Sequence, residues 1–324
     1  MNKTAIISIL GRPNAGKSTL LNQIIGQKIS IVTPKVQTTR SIIKGIYTKD
    51  NTQLVFLDTP GIFNPKKRLE KAMVRNAWSS IAGADIICLI VDLKDEKIFD
   101  SEFSKIIKHI SELDTPKIII FNKIDLVKKQ NIINSSSERQ KKTLNAHDEF
   151  NIFAEKTNER FLNLLKLFPS QDSVFISAKS NKNIDKLIQK LSDLAPAREW
   201  MYSEDEITTA PMRFLSSEVT REQLFLGLSE ELPYNLTVET DSWEQVSPNE
   251  AKVHQTIIVG RDTHKKIILG KNGQKIKDIS TKSRIEISKN LDMKIHLFLF
   301  VKVREEWDNK SIYYNNMGLT FVKD

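Results

Sequence analysis

Gly11-Arg12-Pro13-Asn14-Ala15-Gly16-Lys17-Ser18 is the stretch that decides the fold. It matches G-x-x-x-x-G-K-[ST], directly after the apolar run Ala5–Leu10 and directly before the helical pattern Lys17–Ile25. Strand, glycine loop and helix in that order make a phosphate cradle. Glycines let backbone N–H groups close on the phosphates, and the helix start adds the positive end of its dipole. In such a loop Lys17 reaches the β and γ phosphates, and the Ser18 hydroxyl is a ligand for Mg²⁺. Asn14 is a candidate potassium ligand, with a plain loop residue as the alternative reading.

Outward from the loop, short β-rich runs alternate with helical patterns. Strands are expected at Ala5–Leu10, Ser41–Tyr47, Gln53–Leu57, Asp85–Val91, Lys117–Phe121 and Val174–Ser177. Several are continuously apolar, as strands buried on both faces of a mostly parallel sheet are. Helices are expected between them at Lys17–Ile25, Leu69–Ile81, Phe99–Ile110 and Ile184–Leu194. The alternation predicts a doubly wound α/β domain over residues 1–196. Within it, 127–169 is polar and interrupts the plan, so it reads as a long surface insertion, partly helical. Ala195-Pro196-Ala197-Arg198 breaks the pattern and opens a linker, 197–206, before a second domain at 207–324.

The choice of base comes from Asn122-Lys123-Ile124-Asp125, after the apolar strand Lys117–Phe121. A carboxylate there accepts from both N1–H and the 2-amino group of guanine. Adenine offers neither donor and would leave Asp125 unpaired, and a buried polar site rejects such an analogue by orders of magnitude. Asn122 helps hold the loop and base, the Lys123 stem packs over the ring, and the backbone of Ser177-Ala178-Lys179 donates to O6. Asp58-Thr59-Pro60-Gly61 ends another apolar strand, which places Asp58 beside the metal through water and Gly61 N–H at the γ-phosphate. Gln37-Thr38-Thr39-Arg40-Ser41 lies where the first switch belongs; either Thr38 or Thr39 completes the Mg²⁺ shell, and Thr39 is favoured. Ile62 follows Gly61 where many GTPases carry a glutamine that orients the attacking water. Isoleucine cannot do this, so slow intrinsic hydrolysis is expected, dependent on a partner or a monovalent cation. GTP and GDP, Mg²⁺ and a candidate K⁺ are thus the expected ligands.

Composition bounds the rest. The 324 residues are 40% hydrophobic with 27% charged, enough for two packed domains and incompatible with disorder throughout. The single cysteine, Cys88, excludes a disulfide scaffold and a cysteine-based zinc site. Apolar runs fall far short of the ~18 residues a spanning helix needs. The net charge of +9 divides unevenly: residues 1–196 hold 31 basic against 20 acidic residues, and 197–324 hold 18 against 20. Yet Lys252 to Arg304 alone carries 13 basic and 4 acidic residues, which marks a polyanion-binding surface or a solvated lysine-rich face.

That basic window contains Ile267-Ile268-Leu269-Gly270-Lys271-Asn272-Gly273-Gln274-Lys275-Ile276-Lys277. A G-x-x-G turn between two helices lets a nucleic-acid backbone approach closely, and Lys271, Lys275 and Lys277 supply charge for phosphates. This is the K-homology signature, which clamps about four nucleotides of single strand. Strands at Asn235–Glu239, Thr256–Gly260 and Lys294–Val303 complete a smaller α+β domain of the type II kind.

Ordered GTPase boxes joined to a K-homology domain resemble the Era family of ribosome-assembly GTPases. The resemblance continues through Tyr202-Ser-Glu-Asp-Glu-Ile-Thr208, Glu218-Val-Thr-Arg-Glu222 and Glu231-Leu-Pro-Tyr-Asn-Leu-Thr-Val-Glu239, and so covers nearly the whole chain. It implies a cytoplasmic monomer that binds 16S rRNA near its 3′ end, acts in assembly of the 30S subunit, and associates peripherally with the inner membrane in many relatives. The chain departs from the family in its long insertion, in Ala15 where valine is usual, and in the tail Met317-Gly318-Leu319. Two competing classes are weaker. A signalling GTPase docked to protein or lipid lacks a lipidation motif or amphipathic anchor, and a tRNA-modifying GTPase lacks a cofactor domain or catalytic-cysteine motif.

Overall fold

The computed structural model describes residues 1–95, 100–126 and 173–322; the 127–169 insertion lies outside them. Six strands form the first sheet: β1 (Lys3–Gly11), β2 (Ile43–Lys49), β3 (Thr52–Asp58), β4 (Ile86–Asp92), β5 (Lys117–Asn122) and β6 (Ser173–Phe175). Their order is β2-β3-β1-β4-β5-β6, parallel except for the β2–β3 hairpin. Continuous apolar strands suit this arrangement because helices cover both faces. Around it lie α1 (Lys17–Ile25), α2 (Arg68–Ser79), α3 (Ser101–Ser111) and α4 (Ile184–Leu194). One core joins α1 and α4 to one face of the sheet, and a second joins α3 to the other.

The register assembles the site. Asp58 pairs with Ile9, Gly11 with Ile90 and Asn122 with Asp92, so the carboxyl ends of four strands deliver Gly11, Asp58, Asp92 and Asn122 to one edge. This is where open α/β sheets bind ligands.

The second sheet holds β7 (Leu236–Ser247), β8 (Glu250–Val259) and β9 (Lys294–Val303), with β8 antiparallel to β7 and parallel to β9. Helices α5 (Met212–Gly227), α6 (Asp262–Leu269) and α7 (Gln274–Leu291) cover one of its faces, and α8 (Ser311–Asn316) closes the chain. Strands β7 and β8 are about twice as long as the sequence suggests. Their outer halves, Thr240–Ser247 and Glu250–Gln255, carry Asp241, Glu244, Gln245 and Lys252, whose polarity hides a hairpin that the backbone ladder nonetheless pairs.

The linker does not swing free. Thr4 N donates to Pro196 O (3.1 Å), and the Arg198 guanidinium meets both Asp85 oxygens (2.9 and 3.1 Å). Gln53 Oε1 accepts from Met201 N and Tyr202 N at 2.9 and 3.0 Å, and Ile46 N donates to Ile207 O (2.8 Å). These bonds lay the connecting chain along the β2–β3 side of the first sheet.

Candidate nucleotide and RNA sites

The glycines of the phosphate loop are fixed by their neighbours. Gly11 and Gly16 have φ of +155° and +101°, and a Cβ at Gly16 would lie 2.3 Å from Asn122 Nδ2. A Cβ on Gly61 would lie 2.6 Å from Pro13 N, so the segment after Asp58 presses directly on the loop. Ile62 N donates to Gly11 O (3.0 Å), while the Ile62 side chain is buried in the core beside Leu10 and cannot reach a water. Thr59 Oγ1 donates to Ile9 O at 2.7 Å, and Pro60 is buried between Thr59 and Gly61. The ammonium of Lys17 donates to Gly11 O (3.1 Å) and Arg12 O (2.9 Å). Burial lowers its pKa to about 8, against the opposing pull of Asp58. Arg12 itself turns outward to Asp95 and Asp100 (3.1 and 2.8 Å).

Three hard oxygens meet beside Lys17. Ser18 Oγ lies 2.9 Å from Thr39 Oγ1 and donates to Asp58 Oδ2 at 2.6 Å. Thr38 Oγ1, by contrast, is engaged with Thr33 Oγ1 (2.6 Å) and Lys35 O (2.8 Å), away from Ser18. Asp58 also accepts from Ser30 Oγ (2.7 Å), a residue with no motif to announce it. Asn22, one turn beyond Ser18, pins that residue through Ser30 N and Ser30 O (2.9 and 2.7 Å). Burial pushes the Asp58 pKa up, while Ser18, Lys17 and Ser30 pull it down. Its Oδ1 is buried without a protein partner. A hydroxyl pair beside such a carboxylate is a donor set that suits Mg²⁺. A cleft of about 420 Å³ opens over these groups, bordered by Asn14, Gly16–Thr19, Thr33 and Lys123.

The base loops are tied to the phosphate loop. Asn122 Nδ2 donates to Ala15 O (2.9 Å) and its Oδ1 accepts from Ala178 N (3.0 Å), so one amide joins three motifs. Lys123, at φ +69°, donates to Asn14 O (2.8 Å) and Asp92 Oδ2 (2.7 Å). Asp125, in the short turn Ile124–Leu126, accepts from Ser177 Oγ at 2.5 Å, which sets the carboxylate beside Ala178 and Lys179.

The segment expected to form the first switch and helix α2 both touch the second domain, contacts that no sequence motif announces. Arg40 turns away from the nucleotide cleft. Its guanidinium is buried and donates to Leu236 O (2.7 Å), Tyr234 O (3.2 Å) and Pro233 O (3.4 Å). Burial, then the neighbouring Arg221, push its pKa down to about 9. Arg221 of α5 is 1% exposed and donates to Thr38 O (2.6 Å) and to Glu218. Both guanidiniums lie over the Phe225 ring, at 6.0 and 5.3 Å. Glu222 accepts from Val32 N (2.8 Å) and pairs with Lys28 (2.5 Å), and Lys35 Nζ reaches the carbonyls of Phe225 and Leu228. Gln37 reaches Glu70 (3.1 Å), which also caps the first turn of α2 through Lys66 N and Lys67 N. From α2, Leu69, Ala72 and Met73 pack into a cluster with Ile258, Trp307, Tyr314 and Met317. The unusual tail is therefore a packing element under α2: Ser41 Oγ donates to Met317 O, and Leu319 is buried in the same cluster. The one available hint was a charged Glu218/Arg221/Glu222 group inside an otherwise amphipathic helix.

The glycine turn of the second domain is built differently. Gly270 (φ +71°) backs onto Lys275, whose Cβ would lie 2.6 Å from an added Cβ. At Gly273 (φ +73°) an added Cβ would meet nothing within 4 Å. Lys271, Asn272 and Lys277 are exposed and Lys275 is half-buried, all around the start of α7.

Comparison with known proteins completes the picture. The family described as "50S ribosome-binding GTPase" matches residues 6–123, and "KH domain" matches residues 231–308. GTPase Era of Rickettsia bellii (strain OSU 85-389) is 48% identical over 98% of this chain and 99% of its own length. GTPase Era of Bradyrhizobium diazoefficiens is 40% identical over 99% and 96%. A crystal structure of Era in complex with MgGDPNP and nucleotides 1506–1542 of 16S ribosomal RNA superposes with a TM-score of 0.83 at 32% identity, covering 98% of this chain and 99% of that one. With both halves matched along their full length, and with the phosphate, base and glycine-turn motifs placed as described, this chain belongs to the Era family of GTPases.

Proposed function

We propose that the chain is a GTP-operated switch that binds single-stranded 16S rRNA near its 3′ end and acts in assembly of the 30S subunit. Gly11, Arg12, Pro13, Asn14, Ala15 and Gly16 wrap the phosphates, Lys17 neutralises them, and Asn122, Lys123, Ile124, Asp125, Ser177, Ala178 and Lys179 form the base pocket. Ser18, Thr39 and Asp58 would hold Mg²⁺, which would supply charge neutralisation to the phosphates. Asp58, Thr59, Pro60, Gly61 and Ile62 form the second switch, and Gln37, Thr38, Thr39 and Arg40 the first. Lys17, Thr39, Asp58 and Gly61 carry hydrolysis. Asn14 donates Nδ2 to Pro34 O (2.9 Å), so its Oδ1 is the atom that would meet K⁺. Gly270, Lys271, Asn272, Gly273, Lys275 and Lys277 receive the RNA backbone. The same reading makes the protein a cytoplasmic monomer with peripheral contact at the inner membrane. Among the described residues no helix is long and apolar enough to cross a membrane.

The observation that carries the switch is the Thr38–Arg221 bond, one residue from Thr39 and 2.6 Å long. A γ-phosphate that reorders Thr39 must also move a carbonyl held by the second domain. RNA affinity then depends on the nucleotide, and by linkage RNA alters GTP affinity by the same factor. Titrating a fluorescent 3′-end rRNA oligonucleotide with the protein, loaded with a non-hydrolysable GTP analogue or with GDP, tests this. Tighter binding in the GTP form is expected, and equal affinities would refute the switch.

A further inference from the structure

Strand β9 is the edge of the small sheet, and its two faces differ. Ile295, Leu297, Leu299, Val301 and Val303 point into the helix-facing cores. The alternate positions, His296, Phe298, Phe300 and Lys302, stand on the other face. There Phe298 and Phe300 are 45% and 51% exposed. Next to them on β8, the His254 ring lies 4.7 Å from Phe298 and 6.2 Å from Phe300, at interplanar angles of 16° and 9°. Three near-parallel rings thus form an open row on adjacent strands.

An edge strand usually protects itself with charge, so two exposed phenylalanines at this place are a cost that packing does not explain. Charge stands around the row instead of within it. Lys252 faces Glu244 at 3.8 Å, Lys294 and His296 share Glu250 at 2.8 and 2.7 Å, and Lys302 lies beyond these pairs at the other end. The helix-facing side of β9 packs on both α6 and α7, the helices that flank Gly270–Gly273. The edge strand therefore separates the glycine turn from the ring row.

We propose that the face bearing Phe298, His254 and Phe300 is a second contact for single-stranded RNA, on which unpaired bases stack after the chain leaves the Gly270–Gly273 turn. Flat rings side by side on neighbouring strands suit bases, whose π-faces stack irrespective of sequence. A lipid-facing patch would call for a wider apolar surface than a row crossed by two imidazoles and bracketed by the Lys252–Glu244 and Lys294–Glu250 pairs and by Lys302. This inference rests on the RNA-binding function proposed above, and extends the footprint beyond the ~four nucleotides of a K-homology groove.

The test uses the full chain with a tetranucleotide and with a longer single-stranded oligonucleotide from the rRNA 3′ end that carries 2-aminopurine at successive positions. The paired substitution Phe298→Leu/Phe300→Leu keeps apolar bulk and removes the aromatic faces. It should weaken the longer RNA by about tenfold or more, since each stacked base contributes ~1–3 kcal/mol. Tetranucleotide affinity should stay unchanged, and 2-aminopurine quenching should vanish at the stacked positions. Phe298→Tyr/Phe300→Tyr should restore both. Equal affinity of the leucine pair for the longer RNA would overturn the proposal, as would loss of binding to phosphatidylglycerol vesicles with RNA binding intact. No RNA binding by the unmodified chain at either length would overturn this proposal and the RNA-binding function together.

Discussion

The phosphate loop and the Gly270–Gly273 turn both depend on glycine, and they part at one position: Gly270 is crowded by Lys275 at 2.6 Å as the phosphate-loop glycines are by their neighbours, whereas Gly273 is not. At Gly16 and Gly61 the missing Cβ makes room for protein, since Asn122 and Pro13 occupy the space at 2.3 and 2.6 Å. At Gly273 the space is open, with no heavy atom within 4 Å. The first arrangement is a preformed cradle in which backbone, Lys17 and Asn122 are already mutually bonded. A compact anion gains most from such preorganisation. The second is an open edge at the start of a basic helix, suited to a polymer that must arrive from one side and leave by the other.

Substitutions can break this contrast. The largest effect is expected at Asp125→Asn, which replaces an acceptor for two guanine donors by a group that matches xanthine. Preference should move from GTP toward XTP by up to about 10⁴-fold, read by competition with a labelled nucleotide. Continued preference for GTP would mean Asp125 does not read the base. Lys17→Ala removes charge-assisted bonds worth roughly 1.5–3 kcal/mol each, so GTP affinity should fall by two or more orders of magnitude. An unaltered circular-dichroism spectrum would confirm that the fold survives.

Arg221→Ala cuts the bond to Thr38 without altering a residue of the phosphate loop or of the Gly270–Gly273 turn. Typical couplings between sites are ~1–3 kcal/mol, or roughly 5–150-fold. The ratio of RNA affinities in the GTP and GDP states should therefore collapse toward one, with GTP affinity in the absence of RNA little changed. The smallest effects sharpen the glycine comparison itself. Gly273→Ala meets only backbone strain, costing about 1–2 kcal/mol, whereas Gly61→Ala adds a backbone clash and should cost measurably more in thermal unfolding. Equal losses would mean the crowding at Gly61 relaxes without penalty. Gly273→Asp, which adds bulk and negative charge at the open site, should abolish RNA binding and leave GTP binding unaltered.

Much of this is legible in the sequence alone. Helices Lys17–Ile25 and Ile184–Leu194 and strand Lys294–Val303 fall where hydrophobic periodicity places them, residue for residue. Other boundaries in the first domain shift by one or two residues, and at Lys3–Gly11 the reason is that ladder pairing extends past the apolar run. The outer half of the β7–β8 hairpin was not legible, since on β7 the residues from Asp241 to Ser247 are mostly polar and solvent-facing, and on β8 only Ala251 and Val253 carry an apolar alternation into the core. Ser30 was missed for a related reason: one serine in a loop has no spacing partner, and only the fold brings it 2.7 Å from Asp58.

What the sequence by itself determined was local chemistry. A glycine loop between strand and helix, an Asn-Lys-x-Asp turn after an apolar strand and a G-x-x-G turn in a basic window each carry their meaning in a few adjacent residues. Only the tertiary structure decided how these pieces act on one another. Thr38 and Arg221 are 183 positions apart in the chain, and Ser41 and Met317 are 276 apart. Arg40 could be placed in a switch from its neighbours, but not aimed at the carbonyls of Pro233 and Leu236. Burying two like-charged guanidiniums is unfavourable unless carbonyls, a carboxylate and an aromatic face surround them. Those partners come from distant segments, and no periodicity or motif records that they will meet.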